Sequence, residues 1–287
     1  MKRTRAAARA TKDRTNAKPK TTSSERRIHS GASGRGGSRR RRGVRSKNHP
    51  PELPNETSSD HVPEQTRAML VQLMESQAYR ELAAAHMFGY GLRFVPDKWM
   101  KFMVWHIREE AEHYDAVAQM YRRFTGEDVE PKVRERLAGK PVPFAESWIE
   151  LAMAQFLFDR GGFWQLREYE ECSFVPYREV VQKIVKEEAG HQSLGEKIVV
   201  EQCQTGRYDS VKQPLFEKWL RLGLLSFGRP GTEGNRYAIE QGLKKRDSGD
   251  CMKDFVDDIR PAVHAAGLRF PDPPSLKLEL PSDIDWS

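Results

Sequence analysis

Glu109-Glu110-Ala111-Glu112-His113 and Glu187-Glu188-Ala189-Gly190-His191 are the two stretches that decide the fold of this chain. Each holds a Glu-x-x-His pair, Glu110 with His113 and Glu188 with His191. Residues three apart on a helix share a face, so each pair aims a carboxylate and an imidazole at one point. A single pair arises often by chance. Two pairs, each far along a segment of helical period, call for a common explanation.

Working outward, Glu81 stands 29 residues before Glu110 and Asp159 stands 29 before Glu188 (110 − 81 = 188 − 159 = 29). A helix, a short turn and a returning helix would bring each such acid level with its Glu-x-x-His. Phe94-Val95-Pro96 precedes the first pair and Phe174-Val175-Pro176 the second. The text therefore reads as two copies of a helical hairpin. Apolar residues at helical spacing predict helices over about 63–90, 97–124, 145–171 and 177–204. Further helices are expected over about 210–226 and 233–266, with a connector at Pro131, Pro141 and Pro143. No run alternates with the period of a strand. The fold class is all-α, built around four long helices.

Four carboxylates (Glu81, Glu110, Asp159, Glu188) and two imidazoles (His113, His191) would meet in the bundle core. Without a cation such a cluster would repel itself and be costly to bury. Oxygen-rich ligation with two histidines suits a pair of iron or manganese ions better than zinc. Asp159 sits among Leu157, Phe158, Phe163 and Trp164, an apolar setting that favours an inward acid. Gly161 and Gly162 are expensive inside a helix. They either open space beside the metals, with a local π-bulge, or allow close helix packing. Glu109, Glu112 and Glu187 read as solvated neighbours or outer partners of the ligands.

Composition narrows the remaining choices. The chain has 287 residues and a net charge of +7. Residues 1–48 hold 17 Lys/Arg and two acids, hence +15, which leaves −8 for the rest. Residues 1–60 contain almost no large apolar side chains and read as a disordered basic tail, able to touch nucleic-acid phosphates but not bases. Residues 61–287 form the folded domain. No apolar run approaches the length of a membrane span, and no signal peptide is expected. Three scattered cysteines, Cys172, Cys203 and Cys251, exclude a disulfide framework and fit a reducing cytoplasm.

From about residue 62 onward the chain resembles the phenylacetic acid catabolic family of ferritin-like di-iron proteins, above all its phenylacetyl-CoA epoxidase catalytic subunits. The matching text is Arg80-Glu81, Glu110-Ala111-Glu112-His113, Phe158-Asp159-Arg160-Gly161 and Lys186-Glu187-Glu188-Ala189-Gly190-His191-Gln192. Phe227-Gly228, Pro271-Asp272-Pro273 and Asp283-Ile284-Asp285-Trp286 match as well. The resemblance implies a ferritin-like four-helix bundle with additional C-terminal helices. Its implied ligands are Glu81, Glu110, His113, Asp159, Glu188 and His191. It implies an O2-dependent monooxygenase with two iron ions, acting on the ring of an aryl-CoA thioester. Electrons would come from NADPH through a separate flavin and iron–sulfur reductase, and a related helical subunit without metal would be a partner.

This chain departs from the family at one turn before Glu110, where the epoxidase has a lysine and His106 stands here. His106 is expected to hydrogen-bond beside the metals rather than bind them. His86, Phe88, Tyr90 and Phe94 are expected to make the substrate pocket aromatic, so another acyl-CoA or aromatic acid fits the resemblance too. The alternatives are a non-catalytic structural subunit, which predicts eroded ligands, and a ferritin- or rubrerythrin-like metal-oxidising protein.

Overall fold

The computed structural model describes residues 62–139 and 143–287. The expected disordered tail over 1–60, and any contact it makes with nucleic acid, lies outside the described residues. Helix α1 (Glu64–Gly91) passes through a single 3₁₀ turn into α2 (Asp97–Thr125). Pro96, fixed in an extended conformation, is the N-cap of α2. Gly126, at φ +79°, closes it by donating to the Arg122 carbonyl at 2.9 Å, a reversal that glycine makes without strain. The expected connector contains a short helix of its own, α3 (Glu130–Gly139). Pro131 lies in its first turn, where the missing N–H costs nothing; read as a breaker, it had marked a loop.

The third long helix is continuous but not uniform. It runs as α4 (Trp148–Ala154), a π-helical turn (Gln155–Asp159) and α5 (Arg160–Arg167). Ser147 caps it by accepting from the Glu150 amide. The fourth helix, α6 (Val175–Cys203), carries Pro176 in its first turn. Then come α7 (Lys212–Ser226), α8 (Glu233–Glu240) and α9 (Ser248–Ala265). The single helix expected over 233–266 is thus two. Gly242, at φ +66°, breaks it, and Asp247 caps α9. There is no strand among the described residues.

Helices α1, α2, α4–α5 and α6 form the bundle, while α7 packs on the π turn and α9 on α5 and α6. The core falls into two apolar clusters. One gathers Met87, Phe88, Met103, Leu151, Phe156 and Ile198. The other gathers Leu70, Met74, Val117, Tyr121, Tyr177 and Val181. On each of the four helices the chain passes from one cluster to the other through buried polar residues: Glu81, then His106 to His113, then Asp159, then Glu188 and His191. A polar layer is thereby sealed between two dry ones. The three cysteines are free and buried.

Glycine sets how closely the π turn is held. A Cβ on Gly195 of α6 would lie 2.8 Å from the Phe156 nitrogen, and one on Gly223 of α7 would lie 2.7 Å from the Leu157 carbonyl oxygen. Both neighbours are backbone atoms of the wide turn, so a helix on each side comes against it main chain to main chain.

Candidate metal centre

All six residues picked by the two-hairpin spacing meet in this layer, and all are buried. They fall into two groups that share Glu110. Glu81, Glu110, His113 and Glu188 form one, with donor atoms within 4.8 Å of one another. The other contains Glu110, Asp159, His191 and also His106. Glu188 spans the pair, with Oε1 at 3.3 Å from His113 Nδ1 and Oε2 at 3.3 Å from His191 Nδ1.

Both expected histidines turn Nδ1 inward and Nε2 outward. His113 Nε2 donates to Glu187 Oε2 at 2.9 Å, and His191 Nε2 donates to Glu109 Oε2 at 2.7 Å. The pairing is crosswise: an acid on α6 orients the histidine of α2, and an acid on α2 orients the histidine of α6. An imidazole held this way keeps its second nitrogen for a ligand, the usual arrangement at metal sites. Glu109 and Glu187 are therefore outer partners. Glu112 is not: it pairs with Arg108 on the surface at 2.7 Å. The doubled acid before each Ala-x-His was the signal.

The glutamines were missed. Gln77 donates to Glu81 Oε1 and accepts from Arg80. Gln155 donates to His106 Nδ1 at 3.1 Å. Each stands four residues before an acid, Glu81 or Asp159, so the duplicated hairpin extends to Gln-x-x-x-acid.

The aromatic wall expected from the first hairpin is reduced to one residue. Phe88 is buried against the His106 ring, with centroids 4.3 Å apart. His86 is exposed, and Tyr90 packs instead on Phe94 and Phe144. Side chains on the third helix do more. Phe158, Gly162 and Phe163 line a cavity of about 40 Å³ beside Glu81, Glu110 and Asp159. The two glycines have separate reasons. Gly161 packs on α7, where a Cβ would come 3.1 Å from the Gly223 carbonyl oxygen, while Gly162 has nothing within 4 Å. The π turn precedes both of them.

Electrostatics describe a cluster arranged for cations. Burial, then repulsion from Glu188, pushes the Glu110 and Asp159 carboxyls well above their usual range. Burial opposes charge on His113 and His191, but the Glu188 carboxylate, 3.3 Å from each Nδ1, outweighs it and raises them to about 11 and about 9. Burial likewise opposes the Glu188 carboxylate, yet the same two imidazoles hold its pKa well below the usual range. His106 goes the other way, lowered by burial and then by His191. Protons thus occupy places where opposite charge is wanted. Two buried atoms aimed into the cluster, His113 Nδ1 and Asp159 Oδ2, have no hydrogen-bond partner. Such orphans are costly in a protein interior. A pair of cations among four carboxylates would satisfy both and release the protons, so the residues present fit a di-metal site.

A family model described as phenylacetic acid catabolic protein matches residues 104–280. The chain belongs to this family. Membership ties it to phenylacetic acid catabolism. The matched span includes His106 and every ligand candidate except Glu81, and it stops short of Asp283 to Trp286. No curated protein matches the chain. Among the described residues no helix is long and apolar enough to cross a membrane.

Proposed function

We propose that this chain is the metal-bearing catalytic subunit of an O2-dependent monooxygenase that acts on an aryl- or other acyl-CoA thioester. The observation that carries the reading is the convergence of Glu81, Glu110, His113, Asp159, Glu188 and His191 in one sealed layer, with each of the two histidines held from outside by a carboxylate. Iron suits this donor set, and manganese accepts it. When bound, the metal pair would supply the activation of O2, which the protein side chains cannot perform themselves.

The chain's own residues do the rest. Arg80 and Gln77 hold Glu81 in place. Glu109 and Glu187 set the imidazole orientation. The two apolar clusters exclude water from above and below. The 40 Å³ cavity has room for one or two molecules the size of water. A ring-sized acyl group must therefore displace Phe158 or Phe163, which are only partly buried. Electrons would come from NADPH through a separate flavin and iron–sulfur reductase, and a related metal-free helical subunit would complete the complex. A purely structural subunit needs none of the six ligands, and a self-sufficient metal-oxidising protein needs no reductase.

The full chain purified from iron-replete cells should carry about two irons. Glu110→Ala and His191→Ala should lose them together, and O2 consumption with acyl-CoA and a reductant should disappear. An intact oxidation rate in an iron-bearing Glu110→Ala protein would falsify the ligand assignment.

A further inference from the structure

We infer that His106 is a metal ligand, so that the pair is held by three imidazoles rather than two, with His106 and His191 both at the position shared by Asp159. This rests on the di-metal reading above. On α2, His106-x-x-x-Glu110-x-x-His113 places three donors on one helical face. His106 is fully buried, and its Nε2 points into the cluster, 2.9 Å from Glu110 Oε1 and 3.5 Å from Asp159 Oδ2. Its ring lies against that of His191, with centroids 3.8 Å apart.

A histidine that only donated a hydrogen bond would leave this arrangement unfinished. One N–H serves Glu110 and cannot also serve Asp159, whose Oδ2 stays without a partner in a sealed interior. A cation between the three atoms would satisfy all of them at once. The far side of the ring also meets a buried polar partner, but the Gln155 amide donates to Nδ1, at 3.1 Å, whereas His113 and His191 each donate to a carboxylate, Glu187 and Glu109. A half-turn of that amide presents its oxygen to Nδ1–H and frees the Nε2 lone pair. Gln155 opens the π turn that also carries Asp159, so one local irregularity sets both an outer partner and a ligand of the same metal. The result is an unequal pair: one imidazole serves the Glu81 position and two serve the Asp159 position. More nitrogen favours iron over manganese, which prefers carboxylate and water.

The test is iron X-ray absorption on the full chain, reconstituted anaerobically with ferrous iron, counting imidazoles by their multiple scattering. The wild type should show three imidazoles per iron pair and His106→Gln two, a loss of one third. In competition with a chelator, one of the two irons should be held at least about tenfold more weakly in His106→Gln. Gln155→Leu, which keeps the imidazole but not its orienter, should weaken the same iron by about 10- to 100-fold. Two imidazoles per pair in the wild type would overturn the inference while leaving the di-metal reading intact. A wild type that takes up no iron would overturn both. Because the wild-type count decides the matter alone, a poorly folding variant does not blunt the test.

Discussion

Substituting Gly195 by alanine puts the packing of the π turn to a quantitative test. The new Cβ would sit 2.8 Å from the Phe156 nitrogen and 2.9 Å from the Gln155 carbonyl carbon. Side-chain carbons essentially never come within 3.0 Å of such atoms, and both are main chain, so no rotamer change relieves the clash. Either α6 or the π turn must move. Overpacking of this kind costs about 1–3 kcal/mol. Alanine also gains about 1 kcal/mol over glycine inside a helix. Gly190 isolates that gain, because it lies on the same helix with nothing within 4 Å. The propensity gain cancels between the two variants, leaving Gly195→Ala less stable than Gly190→Ala by about 1–3 kcal/mol, or about 2–12 °C in Tm for a domain of this size. Thermal unfolding of the metal-free full chain measures the difference. Gln155 and Asp159 ride on the displaced turn, so iron retention against a chelator should fall in Gly195→Ala alone. Equal Tm and equal iron retention in the two variants would refute the reasoning.

Three other outcomes are expected. Glu187→Ala or Glu109→Ala should weaken metal binding by about 10- to 100-fold, measured by chelator competition, although neither touches the metals; unchanged affinity would mean that the histidines orient themselves. The metal-free protein should lose stability as pH rises. Glu110 and Asp159 keep protons in the native state that the unfolded chain has already released, and His113 and His191, raised from 6.5 to about 11 and about 9, extend that fall from pH 6.5 to beyond 9. An unfolding midpoint that holds or rises between pH 6.5 and 9 contradicts this proton inventory. Gly162→Leu should fill the small cavity, leave two irons bound and abolish O2 consumption; retained turnover would show that the cavity is not on the reaction path.

The candidate ligands were legible because a helix turns sequence spacing into a face. Glu110 with His113 and Glu188 with His191 need only a regular helix to converge. Helix ends at Pro96 and Gly126 were legible for an equally local reason: each residue restricts its own backbone. What escaped depends on tertiary neighbours. The π-bulge expected beside Gly161 and Gly162 falls just before them, at Gln155–Asp159, but the close approach of Gly195 and Gly223, which lie on other helices, was not legible. The split between α8 and α9 was hidden by continuous helical periodicity around Gly242. His106 stood where the family has a lysine, and was read as a hydrogen-bonding neighbour of the metals rather than a ligand. The inference that it binds metal rests on a tertiary neighbour, the unpartnered Asp159 Oδ2 at 3.5 Å from its Nε2.

Duplication usually leaves one copy of a motif free to change. Here neither copy is free, because Glu109 in the first hairpin steadies His191 in the second, and Glu187 in the second steadies His113 in the first. Damage to one hairpin is therefore felt by the other's histidine. The repeat is less a spare than a mutual dependency, because each hairpin supplies the carboxylate that holds the other's histidine.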